Sequence, residues 1–155
     1  MKFASLKRSV LLLCCGLIVP LYGAGAEDTK PETFVPGLGE FMTGIQLRHA
    51  KLWFAGKTGN WALAAYELDE IKEGFGDAAQ FQPDFKGIAV AKMIQEKTAS
   101  PIESLEKVID GKDKKQFATA FDNLTAACNA CHQSVGFGFI SIQRPTVAPV
   151  SNQKF

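Results

Sequence analysis

Two segments of the chain repeat apolar and small residues at alternating steps of four and three, and this spacing restricts the fold more than any other feature. The first segment carries it at Leu38, Met42, Ile45, His49, Leu52 and Gly56. The second carries it at Phe117, Phe121, Leu124, Cys128, Cys131 and Val135. This alternation is typical of a helix that packs one side against other helices. It predicts one long helix near the start of the folded region and another near its end.

The residues between these two segments predict further helices. With Asn60 as N-cap, the second helix is expected to bury a stripe made of Trp61, Ala64, Leu68, Ile71 and Phe75. Its opposite side is expected to face solvent through Glu67, Asp69, Glu70 and Glu73. Gly74 and Gly76 are expected to end this helix. A third helical stretch runs from about residue 87 to residue 98 and is interrupted at Ser100-Pro101, where a short helix begins.

These elements predict an all-α fold, an antiparallel up-down four-helix bundle over residues 38–138. Asp113 is the expected N-cap of the last helix. Residues 27–37 contain two prolines and predict a flexible lead-in, and residues 139–155 contain two more and predict an irregular tail.

Residues 1–26 have the pattern of a signal peptide that is removed after export. Basic residues come first, an apolar run follows from residue 10 to residue 22, and Ala24-Gly25-Ala26 forms a small-x-small cleavage site. The run contains Pro20 and is shorter than the roughly 20 residues that a membrane span needs. We therefore expect a bacterial periplasmic protein without a stable membrane anchor.

Cleavage after Ala26 changes both the charge and the cysteine content. It removes three basic residues and no acidic ones, so the formal net charge falls from +1 to −2. A nucleic-acid-binding domain would usually carry a basic surface, so this class of partner is not expected. Cys14 and Cys15 leave with the leader, and only Cys128 and Cys131 remain. Two cysteines exclude a scaffold of several disulfides.

The two remaining cysteines belong to the sequence Cys128-Asn129-Ala130-Cys131-His132, which is the C-x-x-C-H pattern of covalent haem attachment. Thiols three residues apart lie on one side of a helix, where each can form a thioether with a haem vinyl group. The imidazole of His132, next to the second thiol, can then bind the iron from the proximal side. The motif predicts one covalent haem c, held by Cys128 and Cys131 and ligated by His132.

A zinc site, a redox-active dithiol and a structural disulfide are the other roles that two cysteines can have, and each agrees less well with this sequence. A structural zinc site needs four ligands, and His49 is the only other histidine in the sequence. A thioredoxin-like pair would lie at a helix N-terminus in a βαβ unit, where its thiol pKa would be low. A disulfide between residues three apart in a helix would close almost no loop.

One C-x-x-C-H motif on the last helix of a four-helix bundle resembles the class II cytochromes c, the cytochrome c′ group. The resemblance covers about residues 38–136. It implies a bundle that encloses a single haem. In the low-spin members of this family a methionine near the start of the first helix binds the iron, whereas the cytochrome c′ members leave the iron five-coordinate.

The sequence leaves three alternatives for the distal side of the iron. In an antiparallel bundle the first half of the first helix lies beside the second half of the last. Met42 lies there, and by the resemblance it is the expected distal ligand. His49 is the alternative, seven residues or about 10 Å further along the helix. An empty distal site is the third.

Electron transfer with periplasmic redox partner proteins is the expected function, and no catalytic role is expected because no second polar constellation accompanies the motif. The alternative function is binding of a small gas such as nitric oxide at five-coordinate iron. A homodimer through helix faces is left open, with Trp53 and Phe54 as a candidate contact. Three cations could pair with haem propionates but are expected at the solvated surface: Arg48, Lys51 and Arg144.

Overall fold

The computed structural model describes residues 34–155, so the leader predicted over residues 1–26 and most of the lead-in lie outside the described residues. The described part is an all-α bundle of four helices, as the sequence predicts. The helices are α1 (Leu38–Thr58), α2 (Trp61–Phe81), α3 (Val90–Asp110) and α4 (Lys114–Ser134). Within residues 34–155, no helix is both long enough and apolar enough to cross a membrane.

The helix ends carry the caps that their sequences predict. Asn60 accepts a hydrogen bond from the backbone N–H of Leu63 at the start of α2. Asp113 accepts from the backbone N–H groups of Lys115 and Gln116 at the start of α4. These oxygens satisfy N–H groups that have no partner within their own helix.

The core lies between the predicted stripes. Its fully buried large side chains include Leu52 of α1, Leu68 and Ile71 of α2, Leu105 of α3, and Phe121 and Leu124 of α4. Gly56 has no side chain, and the ring of Phe117 fills the space that a Cβ would take. The alternating spacing therefore predicts correctly which sides of α1 and α4 face the core.

The prediction that Gly74 and Gly76 end the second helix is wrong. The helix continues to Phe81 and buries Phe75 and Ala78 along its last turns. A Cβ at Gly74 would lie 2.8 Å from Cγ1 of Ile45 in α1. The glycine therefore serves close helix packing at this position rather than termination.

The prediction that Glu67 faces solvent is also wrong. Its side chain has no exposed surface, and it lies between two cations of α1. Nη1 of Arg48 is 3.3 Å from Oε2 of Glu67, and Nζ of Lys51 is 2.5 Å from Oε1. Buried carboxylates are tolerated when they are paired in this way, and the pairing needs a neighbouring helix.

The predicted interruption of the third helix does not occur. Helix α3 runs without a break through Pro101. Proline removes one backbone hydrogen bond and costs about 3 kcal/mol, which the packing of Leu105 and Ile109 beyond it can offset. The helix begins only at Val90, because strands β1 (Asp84–Phe85) and β2 (Ile88–Ala89) form a short antiparallel ladder before it.

The contacts between α1 and α4 pair the end of α1 with the start of α4, and the middle of one helix with the middle of the other. Gly56 lies against Phe117, and His49 is hydrogen-bonded to Thr125. Residues 137–155, beyond α4, form turns and irregular backbone. This tail returns along α4 and ends with the ring of Phe155 beside that of Phe54 in α1, with 5.5 Å between ring centroids.

Candidate functional site

One cavity of about 360 Å³ brings together all five residues that the sequence proposes as a site. They are Met42 and His49 from α1 and Cys128, Cys131 and His132 from α4. The remaining walls come from α2, α3, the β ladder and the tail, and most of their side chains are apolar, among them Phe75, Phe85, Ile88, Ile94, Val135 and Phe137. An apolar cavity with a few converging polar groups is the usual form of a cofactor site.

Cys128 and Cys131 are free thiols on the wall that α4 contributes. Burial raises the pKa of the Cys128 thiol to about 11, and the nearby Cys131 adds to this effect. Burial also raises the pKa of Cys131. Both side chains are therefore neutral thiols near pH 7, unlike the low-pKa thiolates of dithiol oxidoreductases.

His132 has a defined hydrogen-bond partner in the tail. Its Nδ1 atom lies 2.9 Å from the carbonyl oxygen of Ile140. A carbonyl oxygen only accepts, so Nδ1 carries the hydrogen, and in the neutral ring Nε2 keeps its lone pair. Metal-binding histidines commonly donate their other N–H to a carbonyl or carboxylate in this way.

His49 is buried within a short chain of hydrogen bonds. Its Nε2 atom lies 2.8 Å from Oγ1 of Thr125, and that hydroxyl donates to the carbonyl oxygen of Phe121 at 3.0 Å. Because the hydroxyl hydrogen is directed to Phe121, Nε2 of His49 is the donor to Thr125. Burial lowers the pKa of His49 to about 4, so the ring is neutral near pH 7.

The pairing of α1 with α4 determines how far along the bundle each candidate lies. His49 is opposite Thr125. Met42 lies seven residues before His49, and His132 lies seven residues after Thr125, so both lie about 10 Å from that pair in the same direction. Met42 is half-buried and lines the same cavity as His132.

Several cavity residues were missed by the sequence patterns. Met93 is next to the predicted inward residue Ile94, and its sulfur accepts a hydrogen bond from Ser134 of α4 at 3.5 Å. Ile140 and Ile142 line the cavity from the tail. Their spacing of two residues, typical of extended backbone, is the one sequence signal that could have identified them.

The three cations expected at the solvated surface are paired within the protein. Arg48 and Lys51 contact Glu67, as described above. Nε of Arg144 lies 2.6 Å from Oδ1 of Asp122, and its guanidinium lies 4.7 Å from the ring centroid of Trp53. A cation over the face of an indole is attracted by the ring quadrupole.

The candidate dimer contact at Trp53 and Phe54 is covered by the tail. Arg144 lies over Trp53, and Phe155 packs against Phe54. Trp53 also packs inward, with its ring 5.0 Å from that of Phe121. The tail therefore contacts the surface that the sequence offered as a candidate dimer contact.

Residues 34–155 contain no cluster of three or more histidine, cysteine or carboxylate side chains that could hold a free metal ion. A haem iron needs only axial ligands from the protein, since the macrocycle supplies the other four. Comparison of this chain with protein-family models, curated proteins and solved structures finds no match.

Proposed function

We propose that this protein is a periplasmic monohaem c-type cytochrome that transfers electrons. Cys128 and Cys131 would hold the haem through thioether bonds, and Nε2 of His132 would be the proximal ligand. The haem, when bound, supplies a one-electron couple at its iron. The predicted leader over residues 1–26 supports export to the compartment in which its redox partner proteins would be found.

The hydrogen bond between His132 and Ile140 is the observation that carries the proposal. It holds the imidazole in the tautomer whose Nε2 can bind a metal, at the exposed edge of an apolar cavity that His132 lines together with both thiols. A histidine without a ligand role could face solvent with either tautomer. Here the side chain is oriented by a partner on its far side, as metal ligands are.

The apolar walls support a role in electron transfer. Burial around the ring excludes water and, with the axial ligands, sets the reduction potential of a haem. Phe75 and Phe85 contribute to this surrounding from α2 and from the β ladder. Neutral thiols at Cys128 and Cys131 are also compatible with an apolar wall, because they leave no buried charge.

An up-down antiparallel order of the four helices, with the haem on the last of them, agrees with the contacts. The two-residue link between α1 and α2 and the pairs Gly56–Phe117 and His49–Thr125 support it. This order keeps the first half of α1 beside the motif on α4.

We further propose Met42 as the distal ligand, because it lies level with His132 on the facing helix. His49 lies about two helical turns deeper, and its Nε2 atom is already a donor to Thr125. Ligation through Nε2 would break this hydrogen bond, and this cost together with the deeper position of His49 favours Met42, although Nδ1 of His49 keeps a lone pair.

The proposal is tested by expressing the full chain, leader included, in a bacterium that attaches c-type haem. Mass spectrometry and the pyridine haemochrome spectrum should show one haem that acid-acetone does not extract. Cys128→Ala and Cys131→Ala should each leave one thioether and shift the haemochrome band, and the double variant should lose covalent haem. A purified wild-type protein with two unmodified thiols would overturn the proposal.

Optical spectra with carbon monoxide separate electron transfer from gas binding. A low-spin protein in both redox states that does not bind carbon monoxide supports electron transfer. A high-spin ferrous protein that binds it readily contradicts the methionine ligand and supports the gas-binding alternative.

A further inference from the structure

The backbone that follows α4 turns back on the helix immediately. Gly136 has the left-handed φ of 81° that favours glycine. The N–H of Phe137 donates to the carbonyl of His132 at 2.7 Å, and the N–H of Ile140 donates to the carbonyl of Phe137 at 2.8 Å. Two consecutive turns therefore bring Ile140 beside the imidazole of His132.

Asn129, the first variable position of the C-x-x-C-H motif, binds the next part of the tail through two hydrogen bonds to the backbone of Ile142. Its Oδ1 atom accepts from the N–H of Ile142 at 2.7 Å, and its Nδ2 atom donates to the carbonyl of Ile142 at 2.8 Å. A primary amide is the side chain that can pair in this way with both polar groups of one backbone residue. The interaction is half-buried, and both distances lie within the normal N–H···O range.

The two hydrogen-bonded attachments, at Ile140 and at Ile142, are separated by similar distances along α4 and along the tail. Asn129 lies three residues before His132, which is slightly less than one helical turn of 5.4 Å. Ile142 lies two residues after Ile140, which in extended backbone is about 6.6 Å. A tail held at Ile142 by Asn129 therefore presents the carbonyl of Ile140 at the level of the His132 ring.

We propose that Asn129 is a positioning residue for the axial histidine. By holding Ile142 it keeps the carbonyl of Ile140 as the acceptor for Nδ1–H of His132. This inference rests on the proposed function, since it assigns His132 to the haem iron. Donation from Nδ1–H to a carbonyl raises the basicity of the ligating nitrogen, and a more basic ligand favours the oxidised iron. Asn129 therefore lowers the reduction potential without contacting the haem iron.

The test uses the holoprotein and three variants. Asn129→Leu keeps the approximate volume and removes both hydrogen bonds. Asn129→Asp keeps an acceptor for the N–H of Ile142 and loses the donor to its carbonyl. Asn123→Leu is the matched control, because Asn123 is an exposed residue of the same helix away from the cavity. The readouts are the reduction potential, solvent exchange of the His132 Nδ1 hydrogen by NMR, and exchange of the Ile142 amide.

Asn129→Leu should accelerate exchange of the Ile142 amide and of the His132 Nδ1 hydrogen about tenfold each and shift the potential in the positive direction. Asn129→Asp adds a negative charge that lowers the potential by itself, so it is read by the two exchange rates, which should rise by less than in Asn129→Leu. Asn123→Leu should match the wild type in every readout. If Asn129→Leu does not accumulate, the comparison between Asn129→Asp and Asn123→Leu decides.

Two results overturn the positioning role while leaving the proposed function intact. One is a wild-type rate of Ile142 amide exchange in Asn129→Leu. The other is faster exchange of that amide with an unchanged potential and an unchanged His132 Nδ1 hydrogen. Absence of covalent haem from the wild-type protein is a different result, and it overturns the proposed function together with this inference.

Discussion

His49 and Thr125 join α1 to α4 through a hydrogen bond of 2.8 Å between Nε2 and Oγ1, and this contact fixes the level of one helix against the other. His49 and His132 both line the cavity. Residues on α1 that lie on the N-terminal side of His49 therefore face the C-x-x-C-H motif, and among the described ones Met42 has a metal-binding side chain that lines the cavity.

Replacement of Met42 by leucine should remove the distal ligand with little change in packing volume. We expect the sulfur-to-iron charge-transfer band of the oxidised protein to disappear. The reduction potential should fall, because a thioether ligand raises it. Met93→Leu is the control, since Met93 also lines the cavity but lies on α3. The methionine assignment is wrong if the band survives in Met42→Leu, or if His49→Gln removes it instead.

His49 should make stability depend on pH in a defined window. Its pKa is about 4 in the folded protein and about 6.5 when unfolded. As the pH falls below 6.5 the unfolded chain binds a proton first, so stability is full above pH 6.5 and is lost progressively down to about pH 4. Between pH 7 and pH 5 the loss from this residue is about 2 kcal/mol.

Urea unfolding of wild type and His49→Gln at pH 7 and pH 5 measures this term. Glutamine keeps a donor for Thr125 but does not titrate, so the variant should lose about 2 kcal/mol less than wild type over that interval. Other titrating groups are common to both proteins and cancel in the difference. Equal pH dependence would show that His49 titrates normally.

Gly56 should not tolerate a methyl group. A Cβ at this position would overlap the ring of Phe117, so Gly56→Ala should lower the free energy of unfolding by about 1–3 kcal/mol despite the better helix propensity of alanine. Gly44→Ala is the matched control in the same helix, where nothing lies within 4 Å of the new Cβ. That variant should gain up to about 1 kcal/mol. A stabilised Gly56→Ala would contradict the close approach of α1 and α4.

Glu67 should contribute to stability through its pairs with Arg48 and Lys51. Glu67→Gln removes the buried charge and the partner of Lys51, while Arg48 keeps its pair with Glu70, so the variant should cost about 3 kcal/mol of unfolding free energy. Glu73→Gln, on the exposed side of the same helix, should change it by less than about 0.5 kcal/mol. Chemical denaturation measures both. Similar values for the two variants would restore the solvent-facing assignment of Glu67.

Much of the fold is predictable from residues that are close in the sequence. The side of each helix that turns inward follows from spacing, as Leu52 and Phe121 show, and helix starts follow from caps such as Asn60 and Asp113. The errors arose where a partner from elsewhere in the chain changed the meaning of a residue. Gly74 resembles a helix terminator until Ile45 packs against it, and Glu67 resembles a surface residue until two cations of α1 surround it.

The sequence by itself determined which residues on α4 share one side, because an α-helix converts a three-residue spacing into a common direction. Cys128, Cys131 and His132 could therefore be proposed as one site without a structure. Only the tertiary structure decided that Met42 lines the same cavity as His132 and that the tail supplies the carbonyl of Ile140. Spacing along one helix specifies direction around its axis, but the offset between two helices and the path of an irregular tail depend on packing between distant residues.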